Sequence, residues 1–103
     1  MNKLWVTKKQ FLQIQNLFKD CPYKILFFGS RTTGKQNKFS DLDICLKDKE
    51  QIPNAYISSL KNNFSESSFP FLVDIIDYYS LSSSFKEIID NNAINFKECE
   101  PVL

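Results

Sequence analysis

A short apolar run, Tyr23 to Phe28, breaks off at Gly29-Ser30, and no other junction constrains the chain as strongly. A run of that length bounded by a turn signal suits a buried strand, and the Gly-Ser after it must feed a tight turn. Arg31 to Ser40, polar and with Gly34 inside it, reads as a loop or short helical turn. Asp41 to Leu46 then alternates acidic with apolar residues in the period of a strand. That period puts Asp41 and Asp43 on one face and Leu42 and Ile44 on the other.

Helical spacing surrounds these strands. Phe11, Leu12, Ile14, Leu17 and Phe18 predict an amphipathic helix over Thr7 to Lys19, opened by a Thr7/Gln10 capping box and stopped at Asp20, Cys21 and Pro22. Pro53 suits a first helical turn, and Tyr56, Ile57, Leu60 and Phe64 form the stripe of a second helix ending near Phe64. After the Ser-rich loop Ser65 to Ser68, the apolar run Phe69 to Tyr78 reads as a central strand carrying Asp74 and Asp77. A last helix, Ser84 to Asn92, is expected to use a Ser84/Glu87 capping box and to face Phe85, Ile88 and Ile89 inward. Residues beyond Ile94 to Phe96 are expected to be loose. Trp5, Phe11, Phe18 and Cys45 read as core. The order helix, strand, strand, helix, strand, helix predicts an α/β fold, a small mixed β-sheet packed with helices.

With 103 residues, 43% of them hydrophobic and ten of them Phe, the chain is expected to be one domain, residues 1–103, with a real core. Lys and Arg total 13 against 12 acidic residues, a formal net charge of +1, so no global field grips free nucleic acid or an anionic membrane. Cys21, Cys45 and Cys99 are odd in number and lack C-x-x-C spacing, which argues against a disulfide framework and a zinc site. Neither a secretory h-region nor a membrane-length apolar stretch is present. The expected setting is the cytoplasm. The absence of His removes the commonest general base and leaves carboxylates as the chemical groups.

Asp41 and Asp43, side by side on one strand, repel each other unless a cation lies between them, and Mg²⁺ suits such oxygen ligands. Asp74, set among Phe71, Leu72, Val73, Ile75 and Ile76, is expected to be buried and costly unless paired or metal-bound. Strand parity sends Asp77 to the opposite face from Asp74, at the strand's exit beside Tyr78, Tyr79 and Ser80, as an end-of-strand charge. Gly29-Ser30 either is only a turn or offers backbone N–H groups to phosphate. Arg31 and Lys35 either steady phosphates or are solvated, and Lys38 reads as surface charge. A phosphate-cradling turn with three convergent carboxylates matches the two-metal logic of in-line nucleotidyl transfer.

Phe28-Gly29-Ser30-Arg31-Thr32-Thr33-Gly34, then Phe39-Ser40-Asp41-Leu42-Asp43-Ile44, then Val73-Asp74-Ile75-Ile76-Asp77, resembles the signature of the DNA polymerase β-like nucleotidyltransferase superfamily. The pattern there is hydrophobic-Gly-Ser, about ten residues, Asp-x-Asp, and a later strand Asp. The ten residues from Arg31 to Ser40 resemble the spacing of the minimal nucleotidyltransferases, antitoxins found beside HEPN-domain toxins. The resemblance implies a minimal polymerase β-like fold in which Gly29, Ser30 and Arg31 bind nucleotide. It implies that Asp41, Asp43 and Asp74 are catalytic and hold two Mg²⁺ ions. It also implies that ATP donates AMP to a Tyr hydroxyl of a HEPN toxin held in a hetero-oligomer, silencing it. The HEPN motif Arg-x4-His-x-Tyr is absent here, so the toxin that the resemblance implies would be a separate protein.

Two other readings stand beside this one. An antitoxin of the same fold neutralises its toxin by masking it without catalysis. Transfer to a small molecule or to RNA ends is weaker, because relatives with those acceptors use additional domains and the near-neutral charge disfavours free RNA.

Overall fold

The first helix starts where its cap dictates. In the computed structural model, which describes residues 1–103, α1 spans Lys8–Leu17. The Gln10 N–H donates to Thr7 Oγ1 at 3.1 Å and the Thr7 N–H donates to Gln10 Oε1 at 2.9 Å, so both halves of the capping box are made. Before it lies β1 (Asn2–Leu4), and after it come β2 (Lys24–Phe28), β3 (Leu42–Lys47), α2 (Asn54–Ser65), β4 (Val73–Asp77), α3 (Ser83–Asn92), β5 (Ile94–Asn95) and β6 (Cys99–Pro101).

The main sheet has the order β4-β3-β2-β5 and is mixed: β2 pairs antiparallel with β3 and β5, while β3 pairs parallel with β4. The side-chain period of two sorts each strand between two cores. Ile25 and Phe27 of β2, Leu42, Ile44 and Leu46 of β3, and Ile75 of β4 join Phe11, Ile14, Phe18, Ile57, Leu60 and Phe64 in the larger cluster against α1 and α2. On the other face Leu26 and Cys45 meet Tyr78 and Ile89 under α3. The Tyr78 hydroxyl ties α3 down by donating to Asp90 at 2.9 Å and 3.0 Å.

Four expectations need correcting. The run Phe69 to Tyr78 is a strand only over Val73–Asp77. Pro70 has no N–H for a ladder, and the rings of Phe64, Phe69 and Phe71 pack on one another instead, with centroids 5.4 Å to 5.8 Å apart. The α3 cap is Ser82 rather than Ser84, its side chain accepting from the Phe85 N–H at 3.2 Å. Of the α3 residues expected inside, only Ile89 is buried, and Ile88 is 52% exposed. Phe85 lies at the surface with its ring edge-on to Phe28.

The C-terminal segment is ordered rather than loose. β5 extends the main sheet, and β6 pairs in parallel with β1, Asn2 opposite Cys99 and Leu4 opposite Pro101. These are pairings between chain ends, and no local pattern announces them. No helix is long and apolar enough to cross a membrane.

Candidate active site

One end of the sheet gathers the predicted residues because three strands turn over there. β2 leaves the sheet at Phe28, while β3 and β4, running the other way, enter it at Leu42 and Val73. Phe28, Asp43 and Asp74 therefore form one row across three strands, with Asp43 paired to both neighbours. Residues in register on adjacent parallel strands point to the same face, about 4.8 Å apart along the hydrogen-bonding direction. α3 covers the far part of that face and leaves this end open.

The carboxylates are not equivalent. Burial, then Asp74, then Asp41, pushes Asp43 up to about 6 from the ordinary carboxylate value of 3.8. Asp41 and Asp74 are exposed, whereas Asp77 is buried. The argument that placed Asp74 at the site through its burial is thus overturned, and strand parity alone puts it beside Asp43. Asp77, expected at the strand's exit, points into the core. There it accepts hydrogen bonds from the Ile52 N–H at 3.1 Å and the Tyr79 N–H at 3.2 Å, a structural role.

Gly29 has φ of 84°, a conformation that side chains resist, and a Cβ there would overlap Asp43 Oδ2. Glycine is required because the turn lies against the carboxylate. Ser30–Thr32 form a single 3-10 turn, with the Thr32 N–H and the Thr32 hydroxyl both donating to the Gly29 carbonyl, at 3.0 Å and 2.8 Å. Ser30 is half-buried on this turn, one residue beyond the Gly29–Asp43 contact.

Arg31 answers to neither of the roles expected of its side chain. It is 2% exposed, neither solvated nor open to phosphate. Its guanidinium donates to the carbonyls of Trp5 at 2.6 Å, Ser40 at 2.9 Å, Lys38 at 3.3 Å and Asn37 at 3.4 Å, and lies 4.0 Å above the Phe71 ring. These carbonyls take up its donor fork, and burial lowers its pKa. The residue fastens the turn after Gly29 to the loop that delivers Asp41 and to the segment that delivers Asp74. Nothing in the sequence around Arg31 announces these partners. A buried cation stapling four backbone carbonyls is a product of the loop's closure. Lys35 and Lys38 are exposed, as surface charges would be.

Asp41, Asp43 and Asp74 do not close into a three-ligand cage. They form an open set of hard oxygen donors, two in register and a third close enough to raise the central one. Such a set fits Mg²⁺, which keeps waters and substrate phosphates in its shell and takes only a few protein carboxylates. Burial, and after it repulsion from Asp74 and Asp41, raises Asp43, and a divalent cation would relieve the repulsion.

Comparisons with known proteins bear on the family and the fold. The chain is 38% identical over 87 residues to the probable protein adenylyltransferase MntA of Haemophilus influenzae, covering 84% of this chain and 75% of that protein. Its fold is similar to that of a toxin-antitoxin crystallised with AMP-PNP, with a TM-score of 0.68 at 24% identity over 84% of this chain and 71% of the other. It is also similar to the toxin-antitoxin MntA-HepT, with a TM-score of 0.61 at 19% identity over 87% of this chain and 71% of the other. The model of the family described as polymerase beta, nucleotidyltransferase, matches residues 12–99, a span that contains all of β2, β3 and β4, and the chain belongs to that nucleotidyltransferase family.

Proposed function

We propose that this chain moves AMP from ATP, with Mg²⁺, onto a tyrosine hydroxyl of a HEPN-domain toxin, and so acts as the antitoxin of a hetero-oligomeric pair. The observation that carries the reading is the register of Asp43 with Asp74 directly against the Gly29 turn. Membership of a nucleotidyltransferase family supports the reaction class. The name of the Haemophilus influenzae relative supports a protein acceptor, and the toxin-antitoxin structures of like fold support a toxin partner.

In this reading Asp41, Asp43 and Asp74 hold two Mg²⁺ ions. When bound, the ions neutralise triphosphate charge and make the acceptor hydroxyl more acidic. Gly29, whose missing side chain lets the turn lie against Asp43, and Ser30 after it present backbone to the terminal phosphates beside the carboxylates. Asp74, the most open of the strand carboxylates, takes the acceptor's proton. Arg31 contributes by holding Asp41 and Phe71 in place rather than by touching nucleotide.

The test is label transfer from α-³²P-ATP to the purified toxin, comparing wild type with the Asp41→Ala/Asp43→Ala double variant. Transfer that the variant loses, together with loss of neutralisation, supports catalysis. Equal neutralisation by both proteins overturns it in favour of masking.

A further inference from the structure

Phe39, Tyr79 and Phe85 are the exposed aromatic side chains of the chain. Lys38 lies over the Phe39 ring, and Tyr79 packs edge-on to Tyr78 past the end of β4 that is remote from Asp74. Phe85 is placed differently. It is 36% exposed, and its ring meets Phe28 edge-on, with centroids 5.8 Å apart. Phe28 is paired with Asp43 and directly precedes Gly29. Residues paired across adjacent strands share a face, so Phe28, Asp43 and Asp74 point to one side of the sheet, and Phe85 borders their row on that side.

The next turn of α3 continues this surface. Lys86 Nζ lies 5.0 Å from the centre of the Tyr79 ring, and Asp90 accepts from the Tyr78 hydroxyl, so both residues turn toward the far end of β4. At 3.6 residues per turn, Ile88 lies on nearly the opposite side of the helix from each, and it turns back toward the Asp43 end. It stands one turn on from Phe85, a spacing that sets the two side chains next to each other. Single exposed apolar residues need no explanation, but an aromatic and an aliphatic side chain adjoining a carboxylate row form a surface suited to a flat ring. A nucleotide whose phosphates lie between Gly29-Ser30 and the carboxylates holds its base one ribose away, and Phe85 is the exposed ring bordering that row. Resting on the proposed function, we infer that Phe85 and Ile88 form the platform for the base of the nucleotide, the base stacking on the Phe85 ring with Ile88 against its edge. The division of labour follows from charge: the carboxylate end serves the metal-bound triphosphate, and this neutral surface serves the nucleoside. Stacking grips the π-face that every base has, so the platform fixes where the base lies.

The experiment uses the full chain and the purified toxin. Calorimetry measures binding of Mg²⁺-AMP-PNP and of Mg²⁺-tripolyphosphate, and label transfer from α-³²P-ATP is followed against toxin concentration, for wild type, Phe85→Leu, Phe85→Tyr and Ile88→Gln. Removing the stack in Phe85→Leu should weaken Mg²⁺-AMP-PNP about fivefold or more, with a smaller loss in Ile88→Gln and near-wild-type affinity in Phe85→Tyr. Tripolyphosphate affinity and the toxin KM should stay within about twofold of wild type in all three. Leu at position 85 keeps apolar bulk against Phe28, and Ile88 is 52% exposed, so folding should survive, and circular dichroism checks it. An equal loss of tripolyphosphate binding would trace the effect to a disturbed carboxylate row and overturn the platform. Unchanged AMP-PNP affinity with a raised toxin KM would assign the surface to the toxin, overturning the platform and leaving nucleotidyl transfer standing. Failure of the wild type to bind Mg²⁺-AMP-PNP overturns the proposed function and this inference with it.

Discussion

Asp43 and Asp74 face each other in register on adjacent parallel strands, and no cation of the chain pairs with either. Two carboxylates so placed are a standing electrostatic cost, and burial adds to it at Asp43. In metal-free protein the folded state therefore holds a proton on Asp43 that the unfolded state has released, over the window from about 4 to about 6. Stability should fall as pH rises through that window and level off above it. With EDTA present, the melting temperature should be higher at pH 5 than at pH 7 by a few degrees, a difference of about 1–2 kcal/mol after solvent screening. Asp43→Asn should flatten the dependence and raise the melting temperature at pH 7. A wild-type profile that rises from pH 5 to pH 7 would contradict this.

Mg²⁺ and ATP should raise the melting temperature together by more than either does alone, because the carboxylates and the triphosphate each complete the other's metal shell. Thermal denaturation with Mg²⁺, ATP, both and neither measures it. No shift at millimolar Mg²⁺-ATP would count against a nucleotide site.

Asp74 and Asp77 should separate activity from stability. Asp74→Asn should abolish transfer while leaving the melting temperature unchanged or slightly higher, since the side chain is exposed and sits beside a like charge. Asp77→Asn should keep activity in the folded fraction but lose about 1–3 kcal/mol, because it weakens acceptance from the Ile52 and Tyr79 N–H groups in a buried setting. Kinetics and urea denaturation on both variants decide the matter.

Arg31→Met should cost about 2–4 kcal/mol, since it leaves the carbonyls of Trp5 and Ser40 without their partner in the interior. If the residue positions rather than binds, the folded fraction of Arg31→Lys should show an ATP KM close to that of wild type. A large rise in ATP KM without loss of stability would restore a direct phosphate contact.

Gly29→Ala meets both backbone strain at φ of 84° and overlap with Asp43. It should destabilise the protein by about 1–3 kcal/mol and remove activity even in the folded fraction. Activity near that of wild type would show that the turn can move away from Asp43.

The sequence by itself determined the elements that carry their own local code. The Thr7/Gln10 box, the strand that stops on Gly29, the acid alternation of β3 and the parity separating Asp74 from Asp77 were all legible, because caps, turns and a period of two depend on neighbours in the chain. Tertiary structure decided what depends on distant partners. It paired β6 with β1, turned Asp77 inward and left Asp74 in the open, reversing the order of burial expected from their apolar neighbours. It also withdrew Arg31 into the interior, where four carbonyls of a closed loop and the face of Phe71 replace water around its charge. Burial and register are properties of packed surfaces, and a chain shows them only once its remote segments have met.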